Sequence, residues 1–309
     1  MTIAGIGFSI HSKLRSDRLE EARFKPFHAP KGGSIQVSVQ RIDADDLTAA
    51  MPDPEIDPRL AQAGRRGISS KLLRSATVSR RLEAAKEHVR DLFIEMYPSK
   101  MTVIDFHSER VDSYFLCQKD RGLPRRWIGP ALLAPFLPRF DALIIHASAI
   151  VRNDRAAVFL APDEGGKTTA VRLAPSGTIL GDDQVIVRRR RGKFHAWGTP
   201  WGLHMNAAAH APLAGLFLLK KAKRFFLTPL PARSLVPFIW GEIKAPLAIL
   251  PKPLKKKAFN ILCDITAAVP AWTLAFPRNH IDWHEVDLAL QGRMKNTRQR
   301  EDRGCGTKG

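Results

Sequence analysis

Lys167 and Thr168 stand directly behind Gly165-Gly166, at the end of an apolar run and at the start of a short helical pattern. These residue types in this order suit polyphosphate chemistry. Backbone N–H groups of a glycine-containing turn, an ammonium, a hydroxyl suited to Mg²⁺ and the first turn of a helix would converge on a nucleotide's phosphates. The nine residues Ala161-Pro162-Asp163-Glu164-Gly165-Gly166-Lys167-Thr168-Thr169 are therefore the candidate nucleotide-binding loop. Ala161 occupies the place where the usual G-x-x-x-x-G-K-[ST] pattern has its first glycine, a change that a tight turn tolerates if the residue keeps a negative φ. Glu164 would repel polyphosphate unless it points outward or sits on the metal.

Two further groups lie close by in the chain. Asp182-Asp183 follows Lys167 after one short helix and one strand, a pair of hard oxygen ligands or proton acceptors that a neighbouring cation would keep ionised. A solvated turn between strands is the plainer account of the pair. His146, in the apolar run upstream, is either a satisfied core histidine or a contact to the transferring group.

The elements that must position these residues are legible around them. Ala142 to Val151 and Ala156 to Leu160 read as two β-rich runs joined by Arg152-Asn153-Asp154-Arg155, whose Asn-Asp suits a hairpin. The strand that enters the loop is then antiparallel to its predecessor, with His146 mid-strand on one face of the hairpin. Thr168 to Ala174 predicts about two helical turns, stopped by Pro175-Ser176-Gly177, and Thr178 to Val187 predicts two short strands flanking the acidic pair.

Taken together, Ile145-His146-Ala147-Ser148-Ala149, the loop at 161 to 169, Gly181-Asp182-Asp183, Val187-Arg188-Arg189 and Gly198-Thr199-Pro200-Trp201 resemble, in order, the catalytic domain of bacterial HPr serine kinase/phosphorylase and the small HPr kinase-related proteins. The resemblance extends more weakly to about residue 290, through Ala211 to Leu219, a helix-like segment and Val269 to Phe276. It implies a mixed α/β fold like that of phosphoenolpyruvate carboxykinase, with a phosphate-binding loop and largely antiparallel mixed sheets. It also implies roles. Lys167 and the loop backbone hold the β- and γ-phosphates of ATP, and Thr168 with Asp183 ligates Mg²⁺. Asp182 takes the proton of an acceptor hydroxyl, the two aspartates being exchangeable, and His146 contacts the phosphoryl group or steadies Asp182. Ala161, Asp163 and Glu164 depart from the Gly, Ser and Gly common in that family.

Two activities fit: a kinase acting on a hydroxyl of a peptide, protein or small molecule, such as a Ser, or a nucleotide-binding regulatory or scaffold protein with little catalysis. His204 and Asn206, after Gly-Thr-Pro-Trp, are candidates for the acceptor side. His280 and His284 have metal-ligand spacing, but Pro277 and Asn279 open that segment and ordinary histidines are expected there.

The chain of 309 residues divides into an accessory α+β region at 1–128, linker-like at 51–75, a nucleotide-binding domain at 129–290, and a basic disordered tail at 291–309. Strands are expected at Ala4 to Ile10, Ser34 to Ile42, Thr102 to Phe106 and Ser113 to Gln118. A helix is expected at Ser79 to Met96, on the spacing of Leu82, Ala85, Val89, Leu92, Phe93 and Met96. Cys117, Cys263 and Cys305 are too dispersed for a disulfide framework or a zinc site, and no signal peptide or membrane span is evident, so a cytoplasmic setting is expected. A homo-oligomer is compatible. The net charge of +19 is gathered in clusters at 188–193, 220–224 and 252–257 without interleaved aromatics, which favours solvated faces or an acidic partner over nucleic acid.

Overall fold

The computed structural model describes residues 2–12, 25–27, 35–43, 80, 92–97, 100–117, 130, 133–202, 206–243 and 249–293. The linker-like segment 51–75, His204 and nearly all of the tail lie outside the described residues.

The first strands, β1 (Thr2–Ile3), β2 (Ile6–Ser12), β3 (Ile35–Asp43), β4 (Leu92–Tyr97), β5 (Lys100–Asp105) and β6 (Arg110–Cys117), form one sheet in the order β1-β2-β3-β6-β5-β4. β3 runs parallel to both β2 and β6, and the other pairs are antiparallel. The four expected strands are present. The expected helix is not continuous to Met96: Leu92–Tyr97 is strand, paired along its whole length with β5 from Leu92↔Asp105 to Tyr97↔Lys100. Helical spacing of apolar residues is a local signal, and here the strand that begins at Lys100 captures the β-rich Phe93-Ile94 and Tyr97 by pairing. Residues 81–91 of that expected helix lie outside the described residues.

The second sheet is built from β7 (Ala142–His146), β8 (Ser148–Arg152), β9 (Arg155–Leu160), β10 (Thr178–Gly181), β11 (Gln184–Arg190), β12 (Lys193–Trp197), β13 (His210–Lys221), β14 (Phe226–Leu230) and β15 (Ala271–Phe276). Its order is β10-β8-β9-β13-β12-β11-β7, with β15 beside the second half of β13 and β14 beside β15. β9, β13 and β15 are parallel; the remaining pairs are antiparallel. The chain is thus a mixed α/β protein with mixed sheets. The Asn153-Asp154 hairpin is as expected, both residues having positive φ, 48° and 58°.

One boundary differs. Ala142 to Val151 is not a single strand, because the ladder breaks at Ala147: β7 pairs with β11, whereas β8 pairs with β9 and β10. His146 therefore ends β7, one strand before the hairpin rather than on it. Ala147 donates its N–H to the Asp183 carbonyl at 3.1 Å, which holds the bend.

Helices α1 (Lys167–Arg172), α2 (Val236–Glu242), α3 (Lys252–Ala268) and α4 (Trp283–Leu290), with short 3₁₀ helices at Lys25–Phe27, Ala134–Phe140 and Ala232–Leu235, accompany the sheets. One apolar cluster, including Phe159, Phe217, Trp272 and Trp283, lies beneath α1 and α4. Arg152 of β8 clamps α4 through Asp287, with contacts of 2.9 and 2.6 Å; that hydrogen bond raises the guanidinium pKa. A larger cluster joins α3 and the first sheet to β7 and β11. The seam between the two sheets is also polar: Arg139 pairs with Glu109 at 2.7 Å, and Arg188 donates to the Ala4 carbonyl at 2.6 Å. Burial pulls the Arg188 pKa down. Among the described residues no helix is long and apolar enough to cross a membrane.

Candidate functional site

β9 delivers the chain to the turn 161–166 at the end of the parallel strands. Ala161 is buried and is not among the residues with positive φ, so alanine serves where glycine is usual. Glu164 is exposed with φ of 59°, and Gly166, the residue before α1, has φ of 97°. A Cβ on Gly165 would come within 2.5 Å of the Ala161 Cβ, so the turn closes only with glycine there. Gly165 donates its N–H to the Pro162 carbonyl at 3.0 Å.

Lys167 opens α1 with only 7% of the residue exposed. Its Nζ reaches back across the turn, donating to the Ala161 carbonyl at 2.8 Å and the Pro162 carbonyl at 3.0 Å. Ser148 Oγ, at the start of β8, donates to the Lys167 carbonyl at 2.8 Å and fixes the start of the helix. Thr168 Oγ1 lies 3.4 Å from the Asp182 carbonyl and ties α1 to the acidic turn. Thr169 is half-buried, and its carbonyl accepts from Leu173 at the end of α1.

The pairing Gln184↔His146 between β11 and β7 sets Asp182-Asp183 beside His146. His146 Nε2 lies 3.0 Å from Asp183 Oδ1 and 3.4 Å from Asp163 Oδ1, while Nδ1 lies 2.8 Å from Glu242 Oε2 at the end of α2. An imidazole with carboxylates at both nitrogens can donate to both only when it carries both protons. Asp163 Oδ1 is also 3.8 Å from Lys167 Nζ, although its side chain is 86% exposed. Asp182 is 1% exposed, whereas the Asp183 side chain is 19% exposed and is the one that meets His146. Among the described residues no three His, Cys, Asp or Glu side chains form a cluster that could hold a metal ion.

A cation, a hydroxyl, an imidazole and three carboxylates therefore lie in one cluster. Among solved structures the chain is similar to that of the Hpr(Ser) kinase/phosphatase from Coxiella burnetii, at 8% identity over 52% of this chain and 92% of that chain, with a TM-score of 0.25. No protein-family model matches the chain, and no curated protein matches it.

The structure brings His146, Lys167, Asp163 and Asp183 together and adds Glu242 and Ser148, to which the sequence pattern assigned no role. One signal for Glu242 is present in the chain, because it is the first carboxylate after Asp183. Gly198-Thr199-Pro200-Trp201 is a buttress in this structure. Thr199 Oγ1 donates to the Gln184 carbonyl at 2.9 Å, and a Cβ on Gly198 would collide with the Ala207 carbonyl at 1.8 Å. Asn206 bridges to Gly181 just before the acidic pair. His280 precedes α4 and His284 lies within it; Asp282 caps that helix by accepting from the N–H groups of His284 and Glu285.

Proposed function

We propose that this chain binds ATP at the cluster of Lys167, Thr168, Asp182 and Asp183 and transfers the γ-phosphoryl group to a hydroxyl acceptor. One observation carries the reading. Asp163 Oδ1, a single anionic oxygen, stands 3.4 Å from His146 Nε2 and 3.8 Å from Lys167 Nζ, where a phosphoryl oxygen would meet the same two groups. On nucleotide binding, the Lys167 ammonium exchanges the Ala161 and Pro162 carbonyls for phosphate oxygens. The turn 161–166 offers its backbone to the phosphates.

The Thr168 hydroxyl and the aspartate carboxylates are hard oxygen donors that fit Mg²⁺, which when bound supplies charge neutralisation at the phosphates. The acceptor oxygen forms a bond to the γ-phosphorus as the bond to the β–γ bridging oxygen breaks, ADP leaves, and the acceptor proton passes to a carboxylate. The exposure of Asp183 and its contact with His146 favour Asp183 as that carboxylate and buried Asp182 as the group that secures the turn beside the metal. Glu242 orients His146. Residues 129–290 would form the nucleotide-binding unit, and 1–128 an accessory one.

A second reading, a nucleotide-binding regulator with little catalysis, is favoured by the same Asp163 contact, since a carboxylate held there competes with phosphate. Single-turnover transfer from γ-labelled ATP to hydroxyl-bearing peptides separates the two. Nucleotide binding itself is tested by thermal shift. At a ligand concentration of about 100 Kd the folded state gains about 2.7 kcal/mol, and Lys167→Ala should abolish most of that gain. An unchanged shift in Lys167→Ala would place the nucleotide elsewhere.

A further inference from the structure

From Gln184 to Gly241 the chain contains no Asp or Glu, while its cations form two main groups, one at 188–193 and one at 220–224. Part of the first group is consumed by the fold, because Arg188 serves the seam between the sheets and Arg189 pairs with Asp264. The second group differs. Lys220, Lys221, Lys223 and Arg224 are all exposed, and no carboxylate among the described residues lies within ion-pair distance of them.

Strand register puts this second group beside the nucleotide turn. Leu160 at the end of β9 pairs with Leu218, and β13 continues to Lys220 and Lys221 at the same end of the sheet. Lys221 pairs with Phe276, whose ring stands 3.3 Å from where a Cβ on Gly166 would be. On one face, Lys220, Ala275 and Phe226 are aligned across β13, β15 and β14, which sets Phe226 two strands, or roughly 10 Å, from Lys220. Phe226 is 54% exposed, one of two large hydrophobic side chains left exposed among the described residues.

We infer that the end of β13 and the loop after it, Lys220–Arg224, with Phe226, dock an acidic polypeptide segment that carries the acceptor hydroxyl to the site of Lys167 and Asp183. The inference rests on the phosphotransferase reading. Four unpaired cations draw and orient a carboxylate-rich chain, and one exposed aromatic beside them offers an anchor for an apolar residue of the same segment. Single-stranded nucleic acid is the poorer fit, since stacking needs a succession of rings and the position between Lys220 and Phe226 is held by Ala275.

The test is fluorescence anisotropy with a labelled peptide rich in Glu and Asp that contains one Ser and one Leu. One variant combines Lys220→Gln, Lys221→Gln, Lys223→Gln and Arg224→Gln. A control combines Arg190→Gln, Arg191→Gln and Lys193→Gln, in the hairpin about 20 Å along β11 from Asp183. The first should weaken peptide binding about tenfold or more and the control about twofold or less, and binding to the parental chain should weaken steeply with salt. Both variants should keep their thermal shift with MgATP. Equal losses in the two variants, salt-insensitive binding, no binding, or tighter binding of a single-stranded RNA of matched length would overturn the docking assignment. Parental binding of the peptide without any MgATP shift would instead defeat the phosphotransferase reading, and with it the peptide's role as acceptor.

Discussion

His146 Nδ1 and Glu242 Oε2 are 2.8 Å apart although 96 positions separate the two residues. The contact joins the end of β7 to the end of α2, and an antiparallel bridge between Ile145 and Ile243 pins the two ends together. Glu242 thereby leaves Nε2 as the ring nitrogen that faces Asp183 and Asp163.

Glu242→Gln should therefore leave MgATP binding nearly unchanged and lower phosphoryl transfer by about 10- to 100-fold, the usual range for a carboxylate that orients a site histidine. Glu242→Asp should recover part of the rate. The relevant measurements are single-turnover transfer and nucleotide titration on the same preparations. An equal fall in nucleotide affinity and rate would mean that Glu242 only supports the fold.

Glu164 holds a left-handed backbone conformation on the exposed side of the turn. Glycine adopts that conformation without the roughly 1 kcal/mol penalty of an L side chain. Glu164→Gly should thus be neutral to slightly stabilising, and ATP affinity should hold or rise as a like charge leaves the loop. Thermal midpoint and nucleotide titration check both parts; a marked loss of affinity would show that the carboxylate serves the metal.

Asp182 and Asp183 should separate by their roles. Removal of the proton acceptor should lower transfer by about 10²–10⁴-fold with little change in nucleotide binding, whereas substitution of the metal-side carboxylate should raise the Mg²⁺ needed for half-maximal rate. The proposed roles predict the first behaviour for Asp183→Asn and the second for Asp182→Asn. Transfer rate measured against Mg²⁺ for both variants decides, and the reverse pattern would restore Asp182 as the base.

His195 and His210, whose rings are 5.4 Å apart on β12 and β13, give a pH dependence. Burial lowers the pKa of each below 6.5; next come the charge of His210 itself and then Arg190 and Lys193 for His195, and Arg190 for His210. Because both folded values are depressed, the unfolded chain binds more protons just below the ordinary value. Their contribution to stability is complete above 6.5 and is lost as pH falls through the window beneath it. The urea midpoint should fall between roughly pH 7.5 and 5.5, and His195→Gln/His210→Gln should flatten that fall. Identical slopes for parent and variant would locate the titration elsewhere.

What the chain itself determined was local. Asn153-Asp154, the two glycines before Lys167, the stop at Pro175-Ser176-Gly177 and the acidic pair between two β runs depend on backbone preferences within a few residues, and each lies where the sequence pattern puts it. The tertiary structure decided what depends on distant partners: the break at Ala147, the strand at Leu92–Tyr97, the arrival of Glu242 at His146, and the use of Gly198-Thr199 to support β11. The physical reason is that φ preferences and turn chemistry act over neighbouring residues, whereas strand pairing and side-chain contact are chosen by whichever segment the folded chain brings alongside.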